Sequence, residues 1–386
     1  MRFIRQERLR VRRLAVVTAS AVAVAVASAA ATHAGEAGPG ITTPVVLPRY
    51  DAAAPACTPP AGLQRTLVFL QDNEREFIEG VASGLAAAAR DRGLEFKVAL
   101  ADNDIARQQA QAADALAAEA GAVVIAPIDA RAMTKPLQQL IGSGTYVGAV
   151  VPPPATTILN APQYETGKAL GEAAAAYITE KLGGQARVVL LTQDSNQFLA
   201  PRFVAIRDAL AKVPGASIVA DISPTPVDEQ GGFATMQTVL LAQPSVDVVL
   251  GADTVVLGAL RALRLAGKDR PDQFLGGIDG EPEAIAEIKA GGPYKASVSL
   301  SAPVFAYAMG QHAADWLEGK SIPQAMDILP RAIDAANLAQ YDTDQADPAA
   351  VWADPARRDS YLRMYGNICP ETRDQYLNFP WSSERR

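Results

Sequence analysis

The chain has 386 residues, of which 49% are hydrophobic, 20% charged and 6% aromatic, too many for one small core and too apolar for disorder. Its formal charge is -7, but residues 1–34 carry six arginines against Glu7, so the rest of the chain carries -12 and repels nucleic-acid phosphates. His33 and His312 are the only histidines, which excludes a multi-histidine metal centre and leaves at most one histidine for a catalytic triad.

The basic start is followed by an apolar run over 14–27 and by small residues to Ala34. This is the order of a cleaved signal peptide, residues 1–34. About 14 apolar residues fall short of the roughly 20 that a membrane span needs. A soluble, periplasmic product is therefore expected. Arg12-Arg13 is the pair of a twin-arginine signal, but the residues around it match that motif poorly, and the export route stays open. Residues 35–63 form a Pro/Ala-rich leader that contains Cys57; the other cysteine, Cys369, lies in the C-terminal tail. An even cysteine count in an oxidising compartment favours a disulfide between them over two buried thiols.

From residue 66, apolar strands at 66–70, 96–100, 122–126 and 146–151 alternate with helices at about 75–92, 104–119 and 130–142. Runs apolar at every position are buried on both faces, so the block is a parallel sheet with crossover helices. The pattern restarts with strands at 187–192, 217–221, 247–251, 274–278 and 296–300 and helices near 163–182, 201–211, 229–242, 254–266 and 282–290. In each half a strand and a polar loop lead into a helix that ends in glycine, Gly93 or Gly215. A helix over 303–318 and a weak strand near 326–331 complete an α/β chain of two doubly wound parallel-sheet domains. Residues 341–386 hold seven of the 23 aromatics, among many prolines and aspartates, and are expected to pack along the body.

Chemical motifs are missing. Gly319-Lys320-Ser321 resembles the end of a P-loop, but Ala314 stands where that motif requires glycine. The strand at 66–70 runs into Gln71-Asp72-Asn73-Glu74-Arg75 and not into a glycine-rich dinucleotide loop, and the G-x-S-x-G elbow and the calcium-loop spacing do not occur. His312 lies mid-helix and reads as packed or solvated. No catalytic residue, metal or cofactor is assigned, and the protein is not expected to be an enzyme.

Several short motifs recur in order: Phe77-Ile78 with Gly84 and Gly93, Ala126-Pro127-Ile128-Asp129, Gly167-Lys168-Ala169-Leu170-Gly171, Asp253 with Leu257-Gly258-Ala259-Leu260-Arg261-Ala262-Leu263, and Ile278-Asp279-Gly280 with Pro282-Glu283. Together, over about 64–330, they resemble the ribose-binding-protein-like type I periplasmic solute-binding proteins of ABC transporters. Lac-repressor-type regulators share this core, but a signal peptide stands where their DNA-binding helices would be. The resemblance implies three crossings between the domains, near 160, 300 and 325, and a ligand cleft between them. An N-terminal lobe then takes 64–160 and 301–325, a C-terminal lobe 161–300 and about 326–340, and an extension 341–386. Open parallel sheets bind ligands beyond the carboxyl ends of their strands, which agrees with that cleft.

Carried over by position, the resemblance makes Arg202 and Asp279 the sugar-binding arginine and aspartate, donor and acceptor for vicinal hydroxyls. The plainer readings are a surface charge for Arg202 and a helix cap for Asp279. Phe77 matches an aromatic that stacks on the sugar, and Arg75 stands where asparagine is usual. Other positions depart from the family. Val151-Pro152 replaces an Asp-Arg pair, and Ala252, Leu300, Val227 and Ile78 replace an asparagine, a glutamine and two aromatics. Either Gln71, Asp72, Gln163, Gln193, Asp194 and Asn196 supply the missing hydrogen bonds, or the ligand is less polar than a free sugar. Asp129 reads as a helix N-cap. The resemblance thus implies a monomeric capture protein that delivers a sugar or polyol to ABC permease subunits. The alternatives are a less polar or anionic ligand, or a sensory role with a chemoreceptor or sensor kinase as partner.

Overall fold

A computed structural model of the chain describes residues 39–150 and 154–384. The signal-peptide reading over 1–34 and the Val151-Pro152 pair lie outside them. The first series of elements is β1 (Gln64–Gln71), α1 (Glu76–Arg92), β2 (Glu95–Leu100), α2 (Ile105–Ala117), β3 (Ala120–Ile125), α3 (Ala130–Ser143), β4 (Tyr146–Val150) and β5 (Thr157–Asn160). The second is α4 (Gln163–Lys181), β6 (Gln185–Leu191), α5 (Ala200–Leu210), β7 (Gly215–Ile222), α6 (Glu229–Ala242), β8 (Val248–Leu250), α7 (Asp253–Leu265), β9 (Phe274–Asp279), α8 (Pro282–Ala290) and β10 (Tyr294–Ser299). Then follow α9 (Ala302–Leu317), β11 (Ala325–Ile328), β12 (Arg331–Asp334), α10 (Leu338–Ala346), α11 (Pro348–Ala353), α12 (Pro355–Tyr361) and β13 (Leu362–Tyr365).

Two sheets result, ordered β13-β11-β5-β4-β3-β1-β2 and β12-β10-β9-β8-β6-β7. The edge strands β13 and β12 are antiparallel to their neighbours; the other pairings are parallel. Each half repeats one winding order around its first strand, the doubly wound pattern. The apolar strand runs make this possible. In β6, Val188 and Leu190 face a core with α4 and α5, while Val189 and Leu191 face a second core with α6 and α7.

Gly93 caps α1 in the left-handed conformation, and Asp129 caps α3 by accepting from the Ala132 N–H, 2.8 Å. Gly215 corrects the sequence reading. It is the first residue of β7, because α5 ends at Leu210 and Pro214 stops any return to helix.

The weak strand read over 326–331 is two strands in different sheets. Pro330 lacks the N–H that a continuous ladder needs, so β11 pairs with β5 in the first sheet while β12 pairs with β10 in the second. This moves 326–328 from the C-terminal lobe to the first sheet. The chain therefore passes between lobes at 161–162, at 300–301 and at 329–330. It passes once more after α10, whose Leu338 and Tyr341 pack with the second lobe, to α11, whose Val351 lies in the core of the first. Residues 341–386 are accordingly not one appendage: residue 341 falls inside α10, and β13 forms an edge of the first sheet. Cys57 and Cys369 are disulfide-bonded, joining leader to tail across 312 residues of sequence. Among the described residues no helix is long and apolar enough to cross a membrane.

The interlobe cleft as candidate functional site

Two glycine contacts set the helices that border the cleft. An added Cβ at Gly84 of α1 would lie 2.3 Å from the Pro303 carbonyl oxygen, and one at Gly167 of α4 would lie 1.9 Å from that of Arg202. Without side chains there, α1 closes on α9 and α4 on α5. The first contact seats Phe77 against Phe305, ring centroids 5.9 Å apart. The second seats Arg202, in the first turn of α5, at the mouth between the lobes.

The space between the lobes is about 1020 Å³. Arg75, Phe77, Ile78, Arg202, Asp279 and Leu300 all line it. Arg202 is buried; its Nε donates to Gln163 Oε1, and its Nη1 approaches Asp279 Oδ1 at 3.5 Å. Asp279 ends β9 with φ +123°, a left-handed conformation that side chains rarely adopt away from functional sites. Its carboxyl is pushed up by burial, against the opposite pull of Arg202 and then Arg75. Arg75 is exposed and is held by Asp72, 3.2 Å, and by Asn73. Phe77 is half-buried, whereas Ile78 and Leu300 are buried.

Two of the expected positions lie elsewhere. Val227 is half-exposed on the turn before α6, and Ala252 precedes α7 without reaching the cleft. Val151 is outside the described residues; its neighbour Val150 lines the space. Of the suggested substitutes for missing polar groups, Asp72 lines the cleft, and Gln163 acts behind it through Arg202. Gln71 is tied to Asn73 and Glu79, and Asp194, half-exposed, pairs with Arg207 and is not among the lining residues. Gln193 and Asn196 lie in the loop before α5, away from the lining.

A buried carboxylate braces the second wall. Asp253, fully buried, accepts from Tyr294 Oη at 2.7 Å, from Ser297 Oγ at 2.6 Å and from the Glu281 N–H at 2.9 Å. Its carboxyl is pushed up to about 7, chiefly by burial, and the three hydrogen bonds offset only part of that. Through Glu281 it fixes the turn that carries Asp279.

Glu76, Glu281 and Ser301, from segments 71–78, 279–281 and 300–302 at the strand ends where the sequence places the ligand, also line the space, as do Tyr341 and Gln345, which the sequence reading missed. Tyr341 shares a hydrogen bond with Ser299 Oγ, 2.9 Å. Tyr341 and Gln345 stand four apart on one face of α10, a spacing that is visible in the sequence. That this face meets the cleft follows only from the extra passage between lobes. Asp72 Oδ1, Ser301 Oγ and Gln345 Nε2 have no hydrogen-bond partner among the described residues.

Comparison with known proteins agrees with this architecture. Residues 67–321 match the periplasmic binding protein domain family. The chain is 27% identical over 264 residues to a putative rhizopine-binding protein of Rhizobium meliloti, covering 64% of this chain and 82% of that one. It is 26% identical to a ribose import binding protein of Bacillus subtilis, covering 65% and 80%. Among solved structures, a periplasmic ribose ABC transporter protein from Conexibacter woesei superposes with TM-score 0.63 at 20% identity, covering 74% of this chain and 96% of that one. A Caulobacter myo-inositol binding protein bound to myo-inositol gives 0.56 at 24%, covering 73% and 97%; at such identities these two likenesses speak for the fold. With its two mostly parallel sheets and the matched span, the chain belongs to the periplasmic binding protein family, in its ribose-binding-protein-like form.

Proposed function

We propose that this protein is the monomeric, periplasmic substrate-binding component of an ABC importer, closing around a small sugar or polyol without altering it. The observation that carries the reading is the Arg202–Asp279 pair at the cleft. A guanidinium anchored on one edge by Gln163, with a carboxylate 3.5 Å from the other, offers a donor and an acceptor to neighbouring hydroxyls. Phe77 supplies an apolar face opposite, suited to the C–H side of a ring. Arg202, Asp279, Phe77 and Asp72 are thus the ligand contacts we assign. The relative named for ribose import supports a polyhydroxylated ligand.

A thermal-shift screen over sugars, polyols, nucleosides and aromatic acids tests this, since a ligand bound by the native state alone raises its apparent stability. A sugar or polyol should raise the melting temperature and be recovered unchanged by mass spectrometry. Stabilisation by aromatic acids alone, or a converted ligand, would refute the reading.

A further inference from the structure

Helix α4 begins on the second lobe directly after the passage at 161–162, and its own sequence gives it no cap. Pro162 stands at the N-cap position, without a side-chain oxygen to accept from the first turn. The third residue of the helix, Glu165, is met instead from 219 residues further along the chain: its N–H donates to Glu384 Oε1, 2.9 Å. A carboxylate suits an uncapped helix start both as acceptor and as negative charge at the positive end of the dipole.

The segment that carries Glu384 belongs to the other lobe. Leu377 exchanges two backbone hydrogen bonds with Ala155, 3.0 and 3.1 Å, just ahead of β5. Trp381, 6% exposed, is part of the first lobe's core, and its ring lies 5.0 Å from that of Tyr365 in β13. From there residues 381–384 follow a groove of about 960 Å³ whose walls include residues 160–162 and 329–330, two of the passages between the lobes. The strands that lead into these passages are themselves joined, Asn160 Nδ2 donating to Asp327 Oδ1 at 2.7 Å. Four passages connect the lobes through the backbone. The Glu384–Glu165 contact connects them once more, without a covalent link.

We infer that residues 377–384 form a strap across the hinge. Trp381 anchors it in the first lobe, Glu384 holds the start of α4 in the second, and together they narrow the range of angles the lobes explore. A rotation that carries α4 away from β13 has to give up the Glu384 bond, and at an exposed site such a bond shifts an opening equilibrium by about twofold to tenfold. The strap ends on the helix whose first residue, Gln163, holds Arg202, so it steadies the arginine of the cleft as well. The inference rests on the hinge closure proposed above, and its test needs no ligand, so its failure leaves polyol capture standing.

The test measures the distance between spin labels on the two lobes of the full chain, attached through Ala110→Cys on α2 and Gln237→Cys on α6, both exposed. The native cysteines are disulfide-bonded, so only the introduced thiols take label. Glu384→Ala, an exposed change, should broaden the interlobe distance distribution by about half or more, whereas Glu384→Gln, which keeps an acceptor oxygen, should stay near the parent's width. Trp381→Ala should broaden it too, by releasing the anchor. Hydrogen exchange at the Glu165 amide should quicken by about twofold to tenfold in Glu384→Ala, which establishes that the contact forms in solution. Faster exchange with an unchanged distance distribution would reduce Glu384 to a helix cap and overturn the strap; unchanged exchange would overturn the contact itself.

Discussion

Arg202 and Asp279 face one another from α5 and from the end of β9, with Nη1 and Oδ1 3.5 Å apart, longer than a well-formed charged hydrogen bond. The pair is held in place from behind, by Gln163 on the arginine side and by the Asp253 network on the other, more than by its own attraction. Such a pair keeps bonding capacity for a third group.

Arg202→Ala and Asp279→Ala should each weaken ligand binding by about tenfold to a hundredfold, since hydrogen bonds to charged groups contribute about 1.5–3 kcal/mol. Phe77→Ala should lower affinity with little change in ranking among ligands, because stacking reads shape more than hydroxyl pattern. Titration calorimetry on variants with unchanged melting temperatures decides both. Undiminished affinity in both charge variants would remove Arg202 and Asp279 from the site.

Gly167→Ala should cost more than surface substitutions do, on the order of 1–3 kcal/mol, because a Cβ there collides with the backbone of Arg202, which cannot rotate away. It should also weaken binding, since relieving the clash moves Arg202. Gly84→Ala should destabilise similarly through Pro303. Urea unfolding followed by ligand titration separates the two effects, and a Gly167→Ala protein of normal affinity would argue against this placement of Arg202.

Two buried groups should give opposite pH dependences. The Asp253 carboxyl is raised from its ordinary value near 3.8 to about 7, so its contribution is fully present below pH 4 and is lost as pH rises through 7. His312, buried with neither ring nitrogen hydrogen-bonded among the described residues, is lowered from 6.5 to about 4. Its contribution is present above 6.5 and is lost as pH falls through 4. Over pH 4–7 the two largely cancel. His312→Leu should therefore make stability fall more steeply with rising pH, and Asp253→Asn should make it rise, as read by chemical denaturation at fixed salt. Parallel profiles for the two variants would contradict both assignments.

Replacing Cys57 and Cys369 together by serine should lower stability by about 2–5 kcal/mol, because the unfolded chain regains the freedom of a long loop. Ligand affinity should be unaffected, as neither residue lines the cleft. Denaturation with and without reductant is the check; a reductant-insensitive midpoint in the parent protein would be the contrary result.

How much was legible in the sequence divides by the kind of signal. Strands such as β3 and β6, apolar at nearly every position, and helices closed by Gly93 or opened by Asp129 write their structure locally. β5 was missed because four residues between a proline-rich loop and α4 leave no period to read. The division of 325–334 between two sheets turned on Pro330, whose effect depends on which edge each flanking strand finds. At the site, Arg202, Asp279 and Phe77 came from resemblance alone, and Asp72 from its place after β1. Tyr341 and Gln345 were beyond reach, since their role depends on a passage between lobes that no local pattern encodes.

The edge strand β13 carries one further consequence, for synthesis and export. It covers β11 from residues 362–365, which are made and translocated after every other strand of that sheet, and Cys369 follows just after. Until that stretch arrives, the first sheet ends in unpaired backbone groups, the kind of edge that recruits strands from other molecules. A chain shortened before residue 362 is therefore a sheet left open and without its crosslink, and its expected fate is aggregation or degradation; the tail works as the final clasp on a fold assembled from its other end.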